Sequence, residues 1–197
     1  MIEKLNQTYQ FVLASQSPRR QRLMHDLGLK FIVRKSGLEV EHYPENLPEQ
    51  DTACELACKK AELTPLKNDN ELIITADTIV WSKNTILGKP ENYSDAFQML
   101  KHLSDDTHSV ITGMCLKDNN GLESFWAETK VHFTKLSDEE IRNYIERYKP
   151  YDKAGAYGIQ EWIGYIGIDH ISGSYYNVVG LPVQNLYEEL KKRLTKL

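Results

Sequence analysis

The sequence lacks the features of a secreted or membrane-bound protein. Its N-terminus has no apolar signal core, and no apolar run approaches the ~18 residues that a membrane-spanning helix requires. Cysteine is scarce, with three in all and no spacing typical of a metal site. Cys54 and Cys58 stand four apart on a predicted helix, which is typical of reduced, partly buried thiols. We therefore predict a cytoplasmic protein that does not bind membranes.

An excess of positive charge is also missing. The 197 residues carry a formal net charge of −4, so no general electrostatic attraction to nucleic acid is expected. Basic residues that matter for function must be gathered locally. The sequence therefore predicts no nucleic-acid partner.

Several common catalytic motifs are absent as well. Neither GxxxxGK[ST] nor GxGxxG occurs, which removes the usual phosphate-binding loops, and no GxSxG motif marks a hydrolase serine. The six histidines show no HxxxH or paired-ligand spacing, so the pattern supports neither a zinc site nor a histidine-based hydrolase. A Ser-His-Asp triad without the GxSxG motif stays open.

The most distinctive stretch that is present carries two arginines at the start of a helix. Residues 11–14 read as a short buried strand, Ser17 as an N-cap, and Pro18 as the first helical residue. Arg19 and Arg20 then fall in the first turn, where acidic residues would be the stabilising choice. Free backbone N–H groups and two guanidiniums at one corner suit a phosphate chain. The alternative is that both arginines point to solvent.

Asp77 is the acidic residue that the pattern singles out. Residues 72–76 are a continuous apolar run, typical of a strand buried on both faces, and they place Asp77 and Thr78 at the strand's carboxyl end before 79–81 continue. Open α/β sheets have their ligand crevice at that edge, where a carboxylate can hold a divalent metal or polarise a water. The alternative is an aspartate that caps a turn.

Other polar residues fit the same chemistry. Lys89 lies in a Gly-Lys-Pro loop that can bring an ammonium close to a phosphate, while Lys60 is unremarkable alone. Gln160 suits the edge of a base or simply a solvated surface. Together with the arginine pair, the acids at 39–41 and Asp77, these residues predict a metal-assisted phosphoanhydride site.

The remaining pattern alternates predicted strands and helices without repeats or a clear linker. Strands are expected over 31–35, 110–117, 122–133 and near 163–168, and helices over 51–63, 94–103, 136–148 and from after 182 to 194. The mixture of βα units and a hairpin predicts an α/β fold: an elongated mixed sheet flanked by helices, with two lobes around a central cleft. We predict one domain over 1–197.

Five motifs follow one another along the chain: Leu13-Ala-Ser-Gln-Ser-Pro-Arg-Arg20, Ala76-Asp-Thr-Ile-Val80, Gly88-Lys-Pro90, Asp152-Lys-Ala-Gly-Ala-Tyr-Gly-Ile-Gln160 and Gly173-Ser-Tyr-Tyr-Asn-Val-Val-Gly-Leu-Pro182. In this order they resemble the Maf family of nucleoside triphosphate pyrophosphatases. The resemblance spans residues 11 to about 190. It implies hydrolysis of a nucleoside triphosphate to the monophosphate and pyrophosphate, with Mg²⁺ or Mn²⁺, by a homodimer.

The resemblance also implies roles for individual residues. Asp77 would be the general base that activates water, and it would also ligate the metal. The residues that would hold the triphosphate are Ser15, Arg19, Arg20, Lys60 and Lys89. Those at positions tied to nucleobase choice are Arg20, Thr78 and Gln160. The Ala-Asp-Thr version of the central motif resembles the branch that acts on dTTP and UTP.

The chain departs from the family pattern at the acidic loop. The family usually has adjacent acids after the second strand, whereas here Glu39 and Glu41 are separated by a valine. The metal-binding glutamate would be Glu39 or Glu41, and we favour Glu41 because it stands closer to the following Tyr-Pro. Two other functions stay open: a non-catalytic nucleotide-binding regulator of cell division or septum formation, and a 7-methyl-GTP pyrophosphatase.

Overall fold

A computed structural model describes residues 1–38 and 47–195. These residues form eight helices and seven strands. The helices are α1 (Ile2–Thr8), α2 (Pro18–Asp26), α3 (Glu49–Glu62), α4 (Tyr93–Leu103), α5 (Asp138–Tyr148), α6 (Trp162–Gly167), α7 (Tyr175–Val179) and α8 (Val183–Thr195). The strands are β1 (Gln10–Leu13), β2 (Phe31–Val33), β3 (Glu71–Ser82), β4 (Thr85–Leu87), β5 (Asp106–Asp118), β6 (Gly121–Phe133) and β7 (Ile168–Ser172).

The seven strands belong to one mixed sheet, as the sequence predicts. Its order is β2-β1-β3-β5-β6-β7, with β4 pairing additionally with β3. β1 runs parallel to both of its neighbours, with Phe11 opposite Phe31 on one side and Leu72 on the other. β4 and β7 are antiparallel to β3 and β6. The α/β class with helices flanking a mixed sheet is confirmed.

The chain divides into two compact units. The first comprises Met1–Asp77, Thr112–Ala127 and Gly180–Leu197, and the second Thr78–Ile111 and Glu128–Val179. The chain passes from one to the other inside β3, β5 and β6 and again between α7 and α8. The elongated shape, the central cleft and the single domain over 1–197 stay predictions.

The core of the first unit is built from the apolar run of β1 and β3. Val12, Ala14 and Ile73 are buried together, and the half-buried Leu66 packs against them. Helix α3 approaches β5 closely at Gly113, where an added Cβ would come within 2.2 Å of the Ala53 carbonyl carbon. A glycine at this position therefore lets α3 lie directly on the strand.

One predicted strand is wrong. The segment 163–168 is mostly helix α6, and the strand β7 begins only at Ile168. Ile163 and Gly167, which stand four apart, are both buried, while Tyr165 between them is 78% exposed, so the burial follows helical rather than alternating spacing. Gly164 also lies so close to the Ile159 carbonyl that an added Cβ would be 2.1 Å from its oxygen. This close contact favours a compact helical turn at the start of α6 over an extended strand.

Other boundaries differ by a few residues. Helix α4 begins at Tyr93 rather than Ser94, because the side chain of Asn92 caps it by accepting from the Asp95 N–H at 3.0 Å. Helix α3 begins at Glu49 rather than at residue 51, and its first turn is closed by the Thr52 N–H donating to the Pro48 carbonyl. Helix α1 is not among the predicted elements. No helix of residues 1–38 and 47–195 is long and apolar enough to span a membrane.

The core of the second unit contains a buried histidine. His108 is 3% exposed, stacks on Phe133, and has its Nε2 2.7 Å from the Tyr157 hydroxyl. Burial lowers the pKa of His108 to about 4, from an ordinary value of 6.5. The imidazole is therefore neutral in the folded protein at neutral pH, whereas the unfolded chain protonates it below pH 6.5.

His108 should make the protein acid-sensitive. Since the unfolded state binds more protons between pH 6.5 and 4, the unfolding free energy contributed by this group is fully present above pH 6.5 and is lost as the pH falls toward 4. The loss amounts to about 3 kcal/mol. Urea unfolding across this range should show a shallower pH dependence for His108→Gln, which keeps a partner for Tyr157. Equal slopes for both proteins would contradict the prediction.

Candidate active site

The arginine corner forms as the sequence predicts. Ser17 caps α2 by accepting from the Arg20 N–H at 3.4 Å, and Pro18 is the first helical residue. The side chain of Ser15, 9% exposed, accepts from the Ser17 N–H at 3.3 Å. Strand β1 ends at Leu13, and the turn from 14 to 17 leads directly into α2. The start of a helix is a place where an anion is favoured.

Both arginines of the corner are half-buried. Arg20 donates from Nε to the carbonyl oxygen of Gly180 at 2.8 Å and from Nη1 to the Ser15 Oγ at 3.4 Å. The structure therefore brings Ser15 and Arg20 together, with Arg19 beside them in the same helical turn.

Asp77 does not end a strand, which corrects the sequence-based placement. Strand β3 continues through Asp77 to Ser82 and is buried on both faces along most of its length. Its parallel neighbour β1 ends earlier, at Leu13, which pairs with Ile74. Asp77 thus lies beyond the carboxyl end of β1 although its own strand goes on. Asp77 therefore still lies at the edge where parallel sheets bind their ligands.

Helix α3 places Lys60 against Asp77. Successive turns of the helix face alternate residues of β3: the Ala57 carbonyl accepts from the Thr75 hydroxyl at 2.7 Å, and the Lys60 ammonium pairs with the Asp77 Oδ1. Both charged side chains are buried, with Lys60 8% and Asp77 4% exposed. A buried ammonium stabilises the ionised form of the carboxylate beside it. The structure therefore places a lysine that the sequence leaves unremarkable directly against Asp77.

Among the described residues, Asp77 can supply part of the ligand set of a divalent cation. Asp77 supplies hard carboxylate oxygens of the kind Mg²⁺ and Mn²⁺ prefer, and Mg²⁺ is commonly held by one or two carboxylates together with substrate phosphates. Among residues 1–38 and 47–195 no group of three His, Cys, Asp or Glu side chains forms a metal cage. Glu39 and Glu41 lie outside the described residues.

The other predicted site residues belong to the second unit. Thr78 is half-buried in β3, directly after Asp77, while Lys89 and Gln160 are exposed on loops. These two loops are joined, because the Gly155 N–H donates to the Gly88 carbonyl at 3.0 Å. The structure thus links the loop of Lys89 to the loop of Gln160 within one unit.

Sequence reasoning leaves Lys153 unremarkable and misses its partners at the loop of Gln160. Lys153, 8% exposed, lies 2.7 Å from Asp152 and 3.1 Å from Glu161. The Tyr144 hydroxyl donates to Glu161 and accepts from the Gly158 N–H at 3.0 Å. Burial and the neighbouring Glu161 raise the pKa of Tyr144. Two sequence features belong to this network: the 152–160 motif contains Asp152 and Lys153, and the buried face of α5 carries Tyr144 at helical spacing.

Comparison with known proteins shows which proteins the chain is similar to. The family model described as "Maf-like protein" matches residues 10–193. A protein of Phocaeicola vulgatus named dTTP/UTP pyrophosphatase is 54% identical over 98% of this chain and 100% of its own length. Proteins of the same name from Parabacteroides distasonis and Flavobacterium johnsoniae are 51% and 48% identical, covering 97% and 96% of this chain and 99% and 98% of their own.

A solved structure, described as that of a HAM1 protein from Coxiella burnetii, is a more distant neighbour. It shares 17% sequence identity with a TM-score of 0.41, over 65% of this chain and 74% of that one.

Proposed function

The chain belongs to the Maf family, and from this premise we propose that it is a nucleoside triphosphate pyrophosphatase that hydrolyses dTTP and UTP to the monophosphate and pyrophosphate. The observation that carries the proposal is an identity of about half the residues, over nearly the full length, with proteins named dTTP/UTP pyrophosphatase. The Ala-Asp-Thr motif at 76–78 also supports these substrates, because it resembles the branch that acts on dTTP and UTP. A 7-methyl-GTP pyrophosphatase and a non-catalytic regulator of cell division are not favoured.

Asp77 is the proposed general base. A water molecule attacks the α-phosphorus, the bond between that phosphorus and the oxygen bridging to the β-phosphate breaks, and pyrophosphate leaves. The carboxylate of Asp77 takes the proton of the attacking water. Its burial and its pairing with Lys60 support this role, because the pair fixes the carboxylate at one place inside the protein.

Three kinds of polar side chain are the proposed triphosphate ligands. Arg19 and Arg20 provide guanidinium donors suited to phosphate oxygens, and Ser15 adds a hydroxyl at the same corner. Lys60 and Lys89 would add ammonium groups that offset the charge growing on the leaving pyrophosphate. Catalysis then rests on positioning and charge neutralisation as well as on proton transfer.

Asp77 is also the residue that would hold a divalent cation, Mg²⁺ or Mn²⁺, together with phosphate oxygens. Glu41, or Glu39 in its place, is the second candidate from the acidic loop. The bound cation would supply Lewis-acid stabilisation of the phosphate oxygens.

Recognition of the base is assigned to Thr78, Gln160 and Arg20. Thr78 carries a hydroxyl that can both donate and accept a hydrogen bond, and Gln160 carries an amide that can pair with the edge of a pyrimidine. The ion pair of the buried Lys153 with the half-buried Glu161 next to Gln160 supports this assignment, because a specificity residue needs a fixed backbone.

The proposal extends to the cellular location and the partners of the enzyme. We propose a cytoplasmic enzyme, since Cys54, Cys58 and Cys115 are all free thiols and therefore suit a reducing compartment. We also propose a homodimer, as the resemblance implies, without nucleic-acid or membrane partners. Light scattering of the purified chain measures the oligomeric state directly.

A nucleotide panel tests the function. With Mg²⁺ or Mn²⁺, dTTP and UTP should release pyrophosphate with kcat/KM at least about 100-fold above that for 7-methyl-GTP. In H₂¹⁸O the label should enter the monophosphate, because water attacks the α-phosphorus. Release of orthophosphate, label in the pyrophosphate, or nucleotide binding without turnover would each contradict the proposal.

A further inference from the structure

The guanidinium of Arg20 is tied to a part of the chain 160 residues away. Its Nε donates to the carbonyl oxygen of Gly180 at 2.8 Å, while its Nη1 lies 3.4 Å from the Ser15 Oγ. The backbone N–H of Arg20 is occupied in capping α2, where it donates to Ser17. The residue is therefore fixed both at its backbone and along one edge of its side chain.

A contact at Nε determines where the rest of the guanidinium points. The group is planar and carries its N–H donors in a rigid fork, so fixing the Nε edge sets the plane in which both Nη atoms lie. A guanidinium that is oriented before the phosphate arrives loses less conformational freedom on binding. The Gly180 carbonyl is thus placed to prepare Arg20 for a bidentate contact.

The backbone conformation at position 180 requires a glycine. Its φ is +118°, a backbone conformation that side-chain-bearing residues rarely adopt, and the residue is buried. It directly follows α7 and stands two residues before Pro182, whose carbonyl accepts the first-turn N–H of Leu186 in α8. A Cβ at this position would force the backbone to rotate, and the carbonyl would turn with it.

We infer that Gly180 is a positioning residue of the pyrophosphatase, whose carbonyl oxygen orients the Arg20 guanidinium toward the triphosphate. The inference rests on the proposed function and on the proposed role of Arg20. It also gives a physical reason for the glycine near the end of the 173–182 motif. The role is one of orientation, because the Gly180 carbonyl itself carries no positive charge for a phosphate.

The test compares two glycines with similar backbone strain. Gly180→Ala should raise the KM for dTTP by about tenfold with kcat changed less than about twofold, because one charge-assisted contact is misdirected. Gly121→Ala is the matched control: its φ is +125°, and an added Cβ would meet nothing within 4 Å. It should lose comparable thermal stability and keep its KM. Equal KM values for the two variants would overturn the inference.

A double-variant cycle separates the inference from the proposed function. Arg20→Ala alone should raise KM by about 30-fold. Gly180→Ala added to Arg20→Ala should change KM by less than about twofold, because the carbonyl then has no guanidinium to orient. Additive effects would overturn the inference while leaving the function intact. An unchanged KM in Arg20→Ala would instead remove the proposed role of Arg20, and failure of the wild type to release pyrophosphate would remove the proposed function.

Arg20→Lys tests the same contact without altering the backbone, in case Gly180→Ala does not fold. Lysine keeps the positive charge but has a single terminal nitrogen, which cannot bond the carbonyl along one edge and the phosphate along another. The KM for dTTP should rise nearly as far as in Arg20→Ala. A wild-type KM in Arg20→Lys would show that charge alone suffices and would overturn the inference.

Discussion

Asp77→Asn is expected to lower kcat for dTTP hydrolysis by about 1,000-fold, within the range that a positioned general base contributes. Asparagine keeps the shape of the side chain and an oxygen that can accept from Lys60, so the fold should persist. Without a carboxylate, the proton of the attacking water has no acceptor at this position. Steady-state pyrophosphate release measures kcat, and calorimetric binding of a non-hydrolysable dTTP analogue checks that the nucleotide still binds within about threefold of wild type.

Glu71→Gln is the matched control for Asp77→Asn. Glu71 lies on the same strand and is 1% exposed, but its carboxylate pairs with Arg34 at 2.7 Å and accepts from the Lys67 N–H at 2.9 Å. Its contacts are structural, and Arg34 holds the pKa of this carboxyl below its ordinary value. The variant should lose roughly 1–3 kcal/mol of stability and keep its kcat. If Asp77→Asn retains kcat while binding nucleotide, the general-base assignment is wrong.

The sequence predicts the arginine corner well because its signals are local. An apolar strand, a serine cap and a proline at the first helical position lie within ten residues, and each has a known backbone preference. What the sequence does not predict is the partner of Arg20. Gly180 stands 160 residues away, and no periodicity or cap rule connects two such positions.

The pairing of Lys60 with Asp77 is likewise not predictable from the sequence. Apolar spacing predicts α3 and β3 as separate elements, but the pair depends on how the helix is set on the sheet. That setting is fixed by close packing, in which Gly113 lets α3 lie on β5. The wrong strand over 163–168 has a different cause: its isoleucines suit a strand, but the chain turns locally, with the Gly164 N–H donating to the Glu161 carbonyl at 2.9 Å.

Lys60→Met should destabilise the protein by roughly 3–5 kcal/mol, since it removes the ammonium from a buried carboxylate. For a chain of this size the thermal midpoint should fall on the order of 10 °C. The variant should also lose activity, with kcat/KM reduced by about 100-fold if one ammonium contact to the transition state is lost. Differential scanning calorimetry and pyrophosphate release measure the two effects independently.

Lys59→Met provides the control on the adjacent residue. Lys59 pairs with Glu55 one turn earlier on an exposed face of α3, and its side chain is 44% exposed. Exposed pairs of this kind contribute less than about 1 kcal/mol, so its loss should barely move the thermal midpoint. The double variant Lys60→Met/Asp77→Asn should recover at least about half of the stability lost in Lys60→Met, because a neutral amide does not need a counter-ion. If Lys60→Met is no more destabilising than Lys59→Met, or if adding Asp77→Asn recovers nothing, the buried pair does not have the electrostatic role that places Lys60 at the centre of the site.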